Sequence, residues 1–195
     1  MTPMPRRIPT ASQTVGPFFN FGLTSNHALG IMAPDGAEGE HITLIFRVID
    51  GDGLPTPGDS MIELWQADSQ GRYQHPVDPR SAAADKDFSG FGRLETDANG
   101  VCVFETVKPG RVPSAAGSAQ APHVGVTLFA RGLGKPLRTR VYFADEAANA
   151  NDPVLVLVPA DRRDTLLAKP VAGQAGAWAI EIHLQGEAET VFFDV

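Results

Sequence analysis

The chain has one cysteine in 195 residues, Cys102, which rules out an intrachain disulfide and any paired-cysteine metal site. It sits between strand-forming residues in "GVCVFETV" and reads as a buried structural thiol. Positive charge is also scarce: 16 Lys and Arg against 23 Asp and Glu leave a net charge of -7. That balance argues against a nucleic-acid backbone as partner, which needs clustered basic residues. An anionic small molecule would have to be met by a local arginine working against the overall field. No long apolar run appears. The opening "MTPMPRRIPTASQ" has two arginines but not the apolar stretch of a secretory signal, and nothing approaches membrane-spanning length, so a cytoplasmic protein is expected. There is no G-x-S-x-G elbow for a serine nucleophile. "GLGK" at 132–135 is too short for a phosphate cradle, and "DGDG" at 50–53 lacks the carboxylates of a calcium loop and reads as a turn.

What the chain does contain is turn chemistry. Sixteen prolines and 20 glycines are spread at turn spacing, which points to many short elements and an all-β domain. Residues 1–38 carry Pro3, Pro5, Pro9, Pro17 and Pro34 without sustained periodicity, so an extended N-terminal arm over 1–38 is expected, followed by a β-sandwich over 39–195. Strand patterns begin at 41 with "HITLIFRVID" and continue at "SMIELWQAD", "FGRLETD" and "VCVFETV". Others lie at 123–130, 137–143, 177–184 and 190–194. The "ANG" between the third and fourth predicts a hairpin with positive φ. One or two short helices are expected, at 145–150 and at 159–169, the latter opened by Pro159 and closed by Pro170.

One cluster is chemically dense. "WQADSQGRYQHP" at 65–76 places Arg72, Tyr73 and His75 after a buried-looking Trp65, and two oxygen or nitrogen donors so close together suit a hard metal ion. A turn with an exposed Tyr and His is the plainer reading. His123, at the head of "HVGVTLFA", is a satisfied strand histidine or a ligand. Taken together with Tyr73, it suggests the phenolate and imidazole set that Fe(III) favours.

Beyond this cluster, "SQTVGPFF" at 12–19, "IELWQADSQGRY" at 62–73, "FGRLETD", "TVKPG" at 106–110, "APHVGVTLFARG" at 121–132, "TRVYFADEAANANDPVL" at 139–155 and "GEAETVFFDV" at 186–195 resemble the intradiol ring-cleaving dioxygenases over nearly the whole chain. The resemblance implies a β-sandwich and non-haem Fe(III). In the family's iron-binding chains the ligands are a Tyr after G-R, a Tyr shortly after K-P-G and both histidines of an H-x-H strand. Here those places hold Tyr73, Val112, His123 and Gly125, and Gln120 stands where an arginine precedes the H-x-H strand. Valine and glycine offer no donor side chain.

The resemblance thus implies a chain with vestigial ligand positions, no catalytic residue of its own and no metal. It would act as the non-iron alpha partner in a hetero-oligomer whose beta chain holds Fe(III). The implied reaction is cleavage of 3,4-dihydroxybenzoate by O2 to 3-carboxy-cis,cis-muconate in aromatic catabolism. Thr14, Gly16, Pro17 and Arg131 would line the partner's substrate pocket, with the Arg131 fork suited to an aryl carboxylate. Two rival readings are a stand-alone metal enzyme using Tyr73, His123 and His75, and a transthyretin-like binding module.

Overall fold

The computed structural model describes residues 11–16, 21–56, 58, 60–114 and 117–194; Pro17, expected at the substrate pocket, lies outside them. Eight strands form: β1 (His41–Ile49), β2 (Ser60–Gln66), β3 (Phe91–Glu95), β4 (Val101–Val107), β5 (His123–Ala130), β6 (Leu137–Phe143), β7 (Leu167–Pro170) and β8 (Ala177–His183). Their order is β3-β2-β5-β6-β7-β8-β1-β4. Strand β7 pairs parallel with β6 and antiparallel with β8, which joins two sheets into one nearly closed layer pair. The result is the expected β-sandwich. Alternation explains the core, because every second residue of a strand faces inward. Leu44, Phe46 and Phe104 from one sheet meet Ile62, Leu64 and Leu128 from the other, all fully buried. Phe46 and Phe104 pack edge to face, with ring centroids 5.8 Å apart. Cys102 lies in this core, and burial pushes its thiol up to about 12, where it has no nucleophilic role.

Four local readings change. The run at 159–169 is not one helix: a 3-10 segment covers Ala160–Leu166, with Pro159 at its N-cap, and the chain then extends into β7. Ala168 is needed in the core between the sheets, and that tertiary demand overrides the helical pattern. Residues 190–194 run extended but form no strand. The Thr190 amide donates to the His183 carbonyl and the Phe193 amide to that of Arg138, so the segment bonds to two strands in turn and builds a ladder with neither. The "ANG" turn has positive φ at Gly100 alone, +72°. The Asp97 carboxylate accepts from the amides of Asn99 and Val101, and the strands on either side then part, β3 pairing β2 and β4 pairing β1. The turn therefore crosses between sheets instead of closing a hairpin. Finally, Trp65 is 42% exposed, because it shares the outward phase of β2 with Glu63. Within the stretch expected to form the arm, Met32, Ala33 and Ala37 belong to the core.

Two loops that bear on the site are held by glycine. Gly71 has φ +72°, and a Cβ there would collide with the Arg111 carbonyl; a Cβ on Gly110 would lie 2.5 Å from the Gly71 nitrogen. The Gly110 amide donates to the Asp68 carbonyl at 2.9 Å, which locks the loop after β2 against the loop after β4. Gly71→Ala is expected to cost about 3 kcal/mol or more through strain and backbone collision. A urea melt of the purified protein measures this, and a loss under about 1 kcal/mol would mean that the crossing relaxes easily.

Candidate functional site

Strand β5 presents His123, Gly125, Thr127 and Phe129 outward and Val124, Val126 and Leu128 to the core. Register places Trp65 of β2 and Arg140 of β6 on either side of Gly125, and Tyr142 opposite His123. Two of the expected ligand positions, His123 and Gly125, therefore share one outer face. Tyr73 reaches it from the loop after β2. There the buried Asp68 carboxylate accepts from the Gln70 and Arg72 amides and pairs with Arg72 Nε at 2.9 Å. The Tyr73 amide donates to Asp78 at 3.0 Å, and Arg80 clamps Asp78 to the Gly71 carbonyl. So placed, the Tyr73 ring stacks on Trp65 at 5.9 Å and 9°. Val112 arrives from the other loop through a bridge to Gln120. Trp65, Tyr73, His75, Val112 and Pro113 help to line a cleft of about 800 Å³.

The electrostatics of this face favour neutral groups. His123 is 5% exposed, and its Nδ1 lies 2.8 Å from the Ala121 carbonyl oxygen. Burial, reinforced by the Arg140 charge, brings it down to about 4, so the ring is neutral at pH 7. Burial raises the Tyr73 phenol, Arg140 opposes that rise, and Asp78 adds to it. Burial and the Asp152 carboxylate likewise raise Tyr142, whose hydroxyl donates to Asp152 at 3.0 Å. His75 stands edge-on to Trp65, its Nδ1 accepting from the Val77 amide.

These residues do not fit a ferric ion. Two of the four positions, Val112 and Gly125, lack donors. Among the described residues no three His, Cys, Asp or Glu side chains group as a ligand set.

The residues expected to face substrate lie elsewhere. Arg131 follows the end of β5, and the Gly132 amide donates to Thr14 Oγ1 at 2.7 Å, which ties residues 11–16 to the β5–β6 turn. Gly16 has nothing within 4 Å of where a Cβ would stand. His123 and Arg131 are eight residues apart along an extended strand, roughly 25 Å at about 3.3 Å per residue. The two groups therefore stand at opposite ends of the sandwich.

Sequence reasoning missed Arg140 and Asp152. Arg140 lies in the "TRVYF" strand pattern, and its place opposite Gly125 emerges only with the register. Asp152, fully buried, accepts from the Ala121, Val154 and Leu155 amides as well as from Tyr142, in a loop with no periodic signal.

A sandwich whose outer face carries Tyr73 and His123 at the head of β5 defines a dioxygenase-type scaffold, and the Dioxygenase family model matches residues 14–186. The chain belongs to this family, the intradiol ring-cleaving dioxygenases. It is 46% identical over 200 residues to the protocatechuate 3,4-dioxygenase alpha chain of Burkholderia cepacia, covering 95% of this chain and 97% of that one. It is 44% identical over 199 residues to the alpha chain of the same name from Pseudomonas putida, covering 95% and 96%. The protocatechuate 3,4-dioxygenase beta chain of B. cepacia is 35% identical over 159 residues, 78% of this chain and 67% of that one. Among solved structures, the 3-chlorocatechol 1,2-dioxygenase of Rhodococcus opacus 1CP shares the fold, with a TM-score of 0.62 at 21% identity over 92% of this chain and 69% of that one.

Proposed function

We propose that the chain is the alpha subunit of a protocatechuate 3,4-dioxygenase. Its partner beta chain would hold Fe(III) and cleave 3,4-dihydroxybenzoate between its hydroxyls, both atoms of O2 entering the product 3-carboxy-cis,cis-muconate. The observation that carries this reading is the separation along β5. The residues suited to an aryl carboxylate stand roughly 25 Å from the chain's own ligand positions, too far to serve them, and on a surface where they can serve another subunit. In this role Arg131 meets the substrate carboxylate, Thr14 pins the arm to the turn that bears Arg131, Gly16 gives the arm a narrow profile beside the pocket, and Pro17 belongs to the same substrate-binding set. The leading part of the arm, ahead of the Met32–Ala37 stretch that packs in this chain's own core, would gain its order by covering the partner. No helix among the described residues is long and apolar enough to cross a membrane.

Iron content tests the reading. Expressed alone, the chain should carry almost no iron and no ring-cleaving activity; co-expressed with a beta chain, the complex should hold about one iron per pair and turn over 3,4-dihydroxybenzoate. Stoichiometric iron and turnover in the chain alone would overturn it and restore the stand-alone metal enzyme.

A further inference from the structure

A second feature of this face bears on metal binding, beyond the missing donors at Val112 and Gly125. Gly125 leaves room: apart from the Trp65 carbonyl oxygen at 3.2 Å, nothing lies within 4 Å of a Cβ placed there. Opposite that room in the β5–β6 register stands Arg140, on the same outward face as His123 and Tyr142. Its Nη1 donates to Gln120 Oε1 at 2.6 Å, and Gln120 is the residue bridged to Val112. Arg140 thus touches or faces the elements bearing three of the four ligand positions; its positive charge disfavours a second positive charge at His123 and pulls the Tyr73 phenol down against burial.

From this arrangement we propose that Arg140 is the residue that keeps metal out of this chain. Its guanidinium, anchored on Gln120 and set opposite Gly125, supplies a fixed positive charge among the old ligand positions. Tyr73 and His123 are retained around an internal cation. A ferric or divalent ion would meet a like charge there. Gln120 takes part because it is neutral: an arginine at 120 would set two guanidinium groups against each other, whereas the amide oxygen accepts from one.

The experiment restores the ligands with and without the cation. Val112→Tyr with Gly125→His, in the full chain, supplies the missing donors, and Arg140→Met then removes the charge at similar volume. The double variant should stay iron-poor. The triple variant should hold about one Fe(III) per chain and show a visible phenolate-to-iron absorption band. Equal iron in the two, or no iron in a triple variant whose circular dichroism matches the parent, would overturn the proposal. Should the triple variant not fold, single variants decide. Cobalt(II) titrated into Arg140→Met should bind at least tenfold more tightly than into the parent or Arg140→Lys, and equal affinities across the three would overturn the proposal. Failure of the subunit assignment would look different, since it would show as iron in the unmodified chain.

Discussion

Replacing Arg131 with alanine in the assembled enzyme is expected to lower kcat/KM for 3,4-dihydroxybenzoate roughly 10- to 100-fold and to leave catechol within about twofold. The magnitude follows from what is removed. A hydrogen bond to a charged partner contributes about 1.5–3 kcal/mol, and a bidentate guanidinium adds geometric selection to that attraction. Catechol has no carboxylate and loses nothing when Arg131 is truncated, so the two substrates separate a contact from a general disturbance of the assembly. Arg131→Lys keeps the charge but not the planar fork and is expected to fall between the two. Steady-state kinetics of the purified heteromer on both substrates is the check. Equal losses on the two would place Arg131 outside the pocket.

The second large effect concerns Asp152. It is fully buried; one of its oxygens accepts from the Tyr142 hydroxyl and the Val154 and Leu155 amides, and the other from the Ala121 amide. Asp152→Asn keeps the shape but must turn an NH2 group toward at least one of these donors. The expected cost is about 2–4 kcal/mol, which for a chain of this size lowers Tm by roughly 5–12 °C. A pH signature accompanies it. Burial alone would raise the Asp152 carboxyl, but the Leu155, Ala121 and Val154 amides with the Tyr142 hydroxyl together hold it below its usual 3.8. A carboxyl whose folded value is depressed contributes fully above its unfolded value and loses that contribution as pH falls through the folded one. The parent should therefore lose this part of its stability below about pH 4, and Asp152→Asn should lack that part of the acid response. Thermal melts of both proteins between pH 3 and pH 7 measure it. Parallel curves for the two would remove the charge of Asp152 from the explanation.

Much of the sandwich was legible because alternation is local. "HVGVTLFA" carries both its period and its inward face in eight letters, and β1, β2, β4, β6 and β8 are equally plain. Strand β7 was not legible. "LAKP" is four residues long, follows a helical pattern and ends in proline, and it becomes a strand only because β6 and β8 each offer it hydrogen bonds. At 190–194 the error ran the other way: apolar, β-branched residues looked like a strand, but the neighbouring strands leave room only for single bonds. The candidate site divides on the same line. Tyr73 and His123 stand in motifs that can be read directly. Arg140 acquires meaning only from its position across from Gly125, and register is a property of paired strands.

The double membership of β7 also bears on how the protein comes apart. Since the strand is hydrogen-bonded to both sheets, neither sheet can detach without breaking the other's ladder. Thermal melting is thus expected as a single cooperative transition, with the amides of β7 among the slow hydrogen exchangers despite the strand's shortness. The same coupling makes the sandwich a rigid spacer: the turn that bears Arg131 keeps its distance from the cleft at the other end of β5 even when surface loops open.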